Sequence, residues 1–315
     1  MVKITNVRAG MSNANPTSYS EIHIESNSKF SYFTRGDNCR FSVRIPAATP
    51  NLPTGLIPVQ DGLIKYMEIH GDQTRGTTVD IQLDYPVPGN VTWTREAHPA
   101  RLTVRFPRYY LQQLFGGRTI VLDPGHGGID TGHRGAVNLL EKDVAFRTAV
   151  KLEELLVPAG ANVILTRRDD KTLSKEERLT LALEKRAEFF ISLHTHWSAD
   201  PIVKGCAVNH NLSGTALADK VIQAIHHKVR LRVRRSYLVP WLEKVGSIPA
   251  LFIQTVTISD WVEEGLLRTS CFHRQMAQAI FNGLRDYLLA SNTVLGVETW
   301  RTEPLSEASP YGRIS

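Results

Sequence analysis

The sequence predicts an α/β domain, a mostly parallel sheet with helices on both faces, preceded by an all-β sandwich. Three observations carry this expectation. From Thr119 onward, apolar strand-like runs alternate with helical patterns of roughly 10–15 residues, which implies βαβ units. Over residues 1–107 the apolar residues recur with period two instead. Where the second pattern begins, residues 120–128 read Ile-Val-Leu-Asp-Pro-Gly-His-Gly-Gly: an apolar run stops at Asp123-Pro124, and a glycine loop carries His126. A side chain on a loop at the C-terminal end of a strand is where an open α/β sheet places its chemistry.

The chain has 315 residues, enough for two domains that each bury a core. Its hydrophobic share of 42% and charged share of 22% describe a globular protein. No apolar run approaches the ~18 residues of a membrane-spanning helix. The opening residues Met1 to Asn6 lead into strand-like sequence without an apolar h-region, so no secretory signal is expected in this sequence. The three cysteines, Cys39, Cys206 and Cys271, are odd in number and far apart, which excludes a readable disulfide framework or a Cys-x-x-Cys metal knuckle. A net charge of +6 fits plain solubility, or attraction to an anionic polymer.

Taken in order, residues 21–25, 40–45, 80–85 and 101–106 alternate polar and apolar, and turn signals separate them at Gly36–Asn38, Pro53–Gly55 and Pro86–Asn90. His23, His70 and His98 are isolated and read as structural or surface residues. Residues 108–117 change character and read as a linker. A strand at 119–122 comes next. The stripe Val144, Ala145, Thr148, Ala149, Leu152, Leu155 and Leu156 predicts a helix over 141–156, ended by Pro158-Ala159-Gly160. A strand at 162–166 succeeds it. Ser174 and Glu177 form a capping box for a helix running to about Glu188. Further strands are expected at 189–193, 206–209 and 250–255, and helices at 217–228 and 272–289. The resulting division is 1–107, linker 108–117, 118–290, and a polar tail 291–315.

His126 and His194 each come directly after a strand of the second domain, and Glu141 opens the helix after the first loop. All three therefore stand at element ends that can face one rim of the sheet. Two imidazoles and a carboxylate, with a fourth position open, make the ligand set of a hydrolytic zinc site. A first-turn glutamate is also favoured by the helix dipole alone. His196, two residues beyond His194, is a competing ligand. The stretch 228–235, Lys-Val-Arg-Leu-Arg-Val-Arg-Arg, reads as a half-buried strand with Val229, Leu231 and Val233 inward, or as a grip on carboxylates. No aromatic platform interleaves its arginines, so nucleic acid is not expected as a partner.

Residues 119–290 resemble the zinc-dependent N-acetylmuramoyl-L-alanine amidases. The matching segments are Leu-Asp-Pro-Gly-His-Gly-Gly (122–128), Leu-Glu-Lys-Asp-Val (140–144), Val-Ile-Leu-Thr-Arg (163–167), Glu177-Arg178, Phe-Ile-Ser-Leu-His (190–194) and Pro-Ala-Leu (249–251). The resemblance implies Zn²⁺ on His126, Glu141 and His194, with peptidoglycan as the partner. The reaction implied is hydrolysis of the amide between N-acetylmuramic acid and the first alanine of the stem peptide. It further implies a place in the cell envelope or outside the cell, and leaves room for an envelope activator or regulator protein. The N-terminal strands are similar in pattern to the AMIN domains that precede such enzymes.

One departure bears on activity. The family carries a general-base glutamate a few residues after the Pro-Ala pair, and that position here is Gln254. A carboxamide accepts no proton near neutral pH, and general-base catalysis is worth roughly 10²–10⁴-fold. Asp260, Glu263 and Glu264 lie nearby in the sequence at the wrong spacing. His133 stands where the family usually has a small residue, as a pocket wall or an exposed side chain. The expectation is an amidase with reduced turnover, in which Gln254 contacts the catalytic water. The alternative is a zinc-containing peptidoglycan-binding or regulatory protein that does not cut. With no extra helix readable between His194 and Gly205, the groove is expected to be open.

Overall fold

The computed structural model describes residues 1–14, 17–46, 48–72, 74–94 and 98–294. The chain divides into two compact units, the first ending at Tyr109 and the second beginning at Tyr110. Among the described residues no helix is long and apolar enough to cross a membrane.

The first unit is built from ten strands: β1 (Val2–Ala14), β2 (Thr17–Ser26), β3 (Phe33–Asp37), β4 (Arg40–Ile45), β5 (Ala48–Pro50), β6 (Gly55–Pro58), β7 (Ile64–Asp72), β8 (Gly76–Leu83), β9 (Asn90–Thr94) and β10 (Ala100–Pro107). They form two five-stranded sheets, ordered β5-β1-β2-β10-β9 and β3-β4-β8-β7-β6. Period-two alternation turns Ile22, Ile24, Leu102 and Val104 of one sheet inward, and Val43, Ile45, Val79 and Ile81 of the other. The Phe41 and Phe106 rings meet edge to face at 5.4 Å, and Thr77 Oγ1 donates to the Ala48 carbonyl, so the two sheets share one core. On the outer face, Arg101 and Arg105 pair with Glu25 and Glu21 across β2 and β10.

The second unit opens with α1 (Tyr109–Phe115), which lies within the stretch 108–117 that the sequence suggests as a linker. The correction has a simple cause. Tyr110, Leu111, Leu114 and Phe115 form an i, i+1, i+4, i+5 apolar face that is buried, and the Phe115 ring stacks on Phe281 at 5.1 Å. Only tertiary contact makes seven residues helical.

The sheet of this unit comprises β11 (Thr119–Pro124), β12 (Asn162–Leu165), β13 (Phe189–His196), β14 (Ala207–His210) and β15 (Ala250–Thr257), ordered β12-β11-β13-β15-β14. All neighbours are parallel except β14 with β15. On one face pack α2 (Glu141–Leu156), α4 (Thr215–Val229) and α6 (Ser270–Val294), with α6 in contact with both of the others. On the other, α3 (Lys175–Glu184) and the 3-10 turn Pro240–Val245 close a core of Val121, Leu179, Phe190 and Leu242. The expected α2 matches residue for residue, and the Ser174–Glu177 capping box is present. A short helix, α5 (Trp261–Leu267), sits where the sequence predicts no element. The tail expected over 291–315 begins later: α6 runs to Val294, and residues 295–315 lie outside the described residues.

Stretch 228–235 is not a strand. Val229 ends α4, Arg230 takes a left-handed conformation (φ 58°), and between there and Arg235 a single bridge, Cys206 with Val233, is the only pairing among the described residues. Seven alternating residues are too few to prescribe a strand when the preceding helix claims the first of them.

Replacing Phe115 by alanine is expected to destabilise the second unit by about 3–5 kcal/mol, the usual loss for a buried aromatic. Urea denaturation monitored by circular dichroism in the helical range measures it. An unchanged midpoint would return 108–117 to the status of a linker.

Candidate metal centre

Asp123 and Pro124 end β11 inside the sheet, and the chain turns there under the grip of two arginines. Asp123 is 1% exposed. It accepts hydrogen bonds from Arg178 Nη1 (2.6 Å), Thr166 Oγ1 (2.7 Å) and Ser192 Oγ (2.7 Å). Burial pushes its carboxyl upward, but the Arg178 charge and the two hydroxyls outweigh this and hold it below the usual carboxylate range. Arg178 also donates to the carbonyls of Pro124 and His126, and Arg167 to those of Pro124, Gly125 and Lys142. The carbonyls of a turn that no strand could satisfy are thereby paired.

This grip holds His126 at φ 60°, a left-handed conformation rare outside glycine. Its Nδ1 lies 2.9 Å from both oxygens of Asp130, so Nε2 is the nitrogen presented inward. There it meets Glu141 Oε2 at 3.2 Å. His194, from the end of β13, places Nδ1 at 3.1 Å from Glu141 Oε1. The two imidazoles stand edge to face, 4.8 Å between centroids. Gly125 leaves room for this: a Cβ there would lie 2.2 Å from His194 Cε1.

Glu141 begins α2, where the helix dipole favours an anion, yet its side chain is only 1% exposed. Oε1 accepts from the Thr195 N–H (2.8 Å), and Oε2 from the His133 N–H (3.0 Å) with His133 Nδ1 at 2.8 Å. Burial pushes the Glu141 carboxyl up, and its contacts with His126 and His194 more than reverse the effect, leaving it firmly ionised. Burial lowers the basicity of His126, and Glu141 and Asp130 raise it by more. The structure thus brings His126, Glu141 and His194 together, one donor atom of each lying within 4.8 Å of the others. Among the described residues this is the one such group of histidine, cysteine and acidic side chains, and His196 stands outside it.

Gln254 lies on β15 in register with His194 on β13, so the two side chains leave the same face of the sheet. Its Oε1 accepts from Arg234 Nη2 at 2.9 Å. The three acidic residues further along the chain are engaged elsewhere. Asp260 caps α5 and pairs with Lys204; Glu263 accepts from the N–H groups of Thr257 and Gly205; Glu264 accepts from Val137 and Leu139 and pairs with Arg268. None is available as a base. His133, expected as wall or surface residue, does both: it contacts Glu141 and stacks on Trp197 with centroids 6.0 Å apart. Between His194 and Gly205 the chain makes turns and no helix, and the two imidazoles remain partly exposed. Beyond the ends of β13 and β15 a cavity of ≈ 440 Å³ is lined by Ser198, Lys204, Thr257 and Trp261.

Sequence reasoning missed Asp130 and Arg234 as site residues. Asp130 stands four residues after His126, within reach of its other nitrogen. Arg234 is hidden in a basic run whose conformation the sequence misdescribes.

An α/β fold with two histidines and a buried glutamate converging at the C-terminal rim of its strands presents a donor set that could hold one metal ion. Comparison with known proteins makes the class specific. A family model for N-acetylmuramoyl-L-alanine amidase matches residues 120–286, more than half of the chain, and the chain belongs to that family. It is 32% identical over 178 residues to the "Probable cell wall amidase LytH" of Staphylococcus aureus, covering 55% of this chain and 60% of that protein. The match thus spans less than two thirds of the curated relatives' length. Among solved structures, N-acetylmuramoyl-L-alanine amidase AmiC2 of Nostoc punctiforme is similar at 31% identity and a TM-score of 0.53, covering 56% of this chain and 99% of that one. An N-acetylmuramoyl-L-alanine amidase from Clostridium difficile 630 is similar at 27% identity and a TM-score of 0.53, covering 56% and 98%.

Replacing Asp123 by asparagine strands the buried Arg178 charge, and a loss of about 3–5 kcal/mol is expected. Because the folded carboxyl titrates below its unfolded value, its stabilisation is complete above about pH 3.9 and disappears only as pH falls through the lower folded value. The gap between the parent and Asp123→Asn should therefore stay constant from neutral pH to about pH 5 and narrow only in stronger acid. Denaturant titrations at stepped pH measure it, and a gap that changes between pH 5 and 8 would assign it to another group.

Proposed function

We propose that the second unit is a zinc-dependent amidase directed at peptidoglycan, acting on the bond between N-acetylmuramic acid and the L-alanine of the stem peptide, with turnover limited by Gln254. The observation that carries this reading is the convergence of His126, Glu141 and His194 around one point. The donor set fits a divalent cation: the buried carboxylate is ionised, His126 has its outer nitrogen fixed by Asp130, and all three donors lie within bridging distance of one ion. Zinc bound there supplies Lewis acidity, polarising a carbonyl and acidifying a water. The chain's own residues do the rest. Thr195 and His133 hold the Glu141 carboxylate in one orientation through backbone N–H groups. The partly exposed rim admits a substrate amide. Gln254, beside His194, can orient a water but takes no proton from it.

The same geometry favours a second reading, a zinc-containing peptidoglycan-binding or regulatory protein that does not cut. Gln254 and the prior engagement of Asp260, Glu263 and Glu264 support it. The first unit, with two packed five-stranded sheets and charged outer strands, supports the reading of an AMIN-like module that holds the chain to the cell envelope. On this reading the chain acts in the envelope or outside the cell.

One zinc ion per chain is expected after dialysis against limiting Zn²⁺, falling to a small fraction in Glu141→Ala and His194→Ala, as measured by atomic absorption. Unchanged uptake in both variants would remove the three-residue site. For turnover, release of stem peptides from purified peptidoglycan is expected to be slow and to rise by roughly 10²-fold or more in Gln254→Glu. A parent rate already high and unaffected by that change would show that residue 254 is not the base position.

A further inference from the structure

Beside Gln254, at the position where a general base would stand, the charged side chain is Arg234. A guanidinium has no acceptor atom, so the oxygen of the Gln254 carboxamide is the atom turned to Arg234, and its NH₂ group is left facing elsewhere. Arg234 itself is fixed in place. Its backbone N–H donates to the Cys206 carbonyl at 2.8 Å, the neighbouring Arg232 carbonyl accepts from Cys206 N–H at 3.0 Å, and Nε donates to the Gly205 carbonyl at 3.3 Å. Among the described residues Nη1 makes no hydrogen bond. The Glu141 carboxylate is already shared between three imidazoles and two N–H groups.

A guanidinium placed beside Gln254 discriminates between a carboxylate and an amide. An amide carbonyl offers Arg234 a neutral acceptor, whereas a carboxylate forms an ion pair with it and can take a second donor from Gln254. Resting on the peptidoglycan reading above, we infer that the site holds the free lactyl carboxylate of muramic acid, the group left on a glycan strand whose stem peptide is gone, in preference to the amide. Arg234 is the residue that sets this preference. The chain then recognises stem-free glycan, and an amidase reaction carried out here is held back by its own glycan product.

The test is calorimetric titration of the zinc-loaded full chain with four probes: N-acetylmuramic acid, its methyl ester, N-acetylmuramoyl-L-alanyl-D-isoglutamine, and the dipeptide L-alanyl-D-isoglutamine. The acid is expected to bind roughly tenfold or more tighter than the ester and the muramoyl peptide, the difference between an anionic and a neutral acceptor at one guanidinium. Arg234→Gln should bring the acid down to the level of the ester. Arg235→Gln, at an exposed arginine over the Tyr237 ring, should leave the order of affinities unchanged. Zinc content and melting temperature of Arg234→Gln, close to those of the parent, establish that the variant is folded. Equal affinity for acid and ester, or a preference that survives Arg234→Gln, overturns the inference and leaves the amidase reading standing. The dipeptide binding as tightly as the acid assigns the carboxylate to the stem peptide and overturns it too. No binding of any muramic probe by the zinc-loaded chain counts against the peptidoglycan reading itself.

Discussion

A carboxylate that is 1% exposed has to find positive charge or hydrogen-bond donors, and Glu141 finds both only because three distant segments meet around it. Its oxygens take N–H groups from the loop after β11 and from β13, two imidazoles from that loop and one from β13. Desolvation alone would neutralise such a group; the imidazoles reverse that. The outcome is an anion with its charge fixed in direction and its partners preset. The architecture that keeps Glu141 ionised is also one that could accept a cation there.

The loop that delivers His126 is held by a second buried charge cluster one layer deeper. Asp123 anchors Arg178, and Arg178 with Arg167 binds successive carbonyls of residues 124 to 126. Hydrogen bonds of this kind cost desolvation of two guanidinium groups, and they yield orientation more than stability. The left-handed backbone of His126 is tolerable because its neighbouring carbonyls are clamped. The matching segments 163–167 and 177–178 thus carry positioning residues, although neither arginine touches the three donors with its side chain.

Much of this was legible in the sequence, for reasons that differ by element. Helix α2 could be read because its stripe is long and its first turn acidic; the capping box of α3 states its own geometry. Strands β11 and β13 are longer than the apolar runs that announce them, since a parallel strand keeps pairing through polar residues such as Asp123, and β13 reaches His196 across a register shift against β15. Helix α1 was illegible because seven residues followed by Gly116-Gly117 acquire helical order only from Phe281 and the core beneath. Helix α5 had a local signal, Asp260 three residues before Glu263, and that pair reads as chemistry when its work is capping. The three ligand candidates were legible as element ends; Arg234 was not, because its position depends on a left-handed residue at 230 that ends α4.

Gln254 and Arg234 are best understood as one unit. A glutamate at 254 in this backbone would face the Arg234 guanidinium, and the ion pair would hold its carboxyl ionised while drawing it toward the cation. A glutamine there makes a neutral contact of the same shape, so the backbone of β15 and the segment 232–234 need not differ between a cutting and a non-cutting version of the site. The difference lies in what remains unpaired: with the amide, the inner rim loses its one strong acceptor and keeps its donors. On the reading proposed above, chemistry that needs a proton removed is slow at this rim, and an oxyanion is the group that its guanidinium and carboxamide donors are placed to hold.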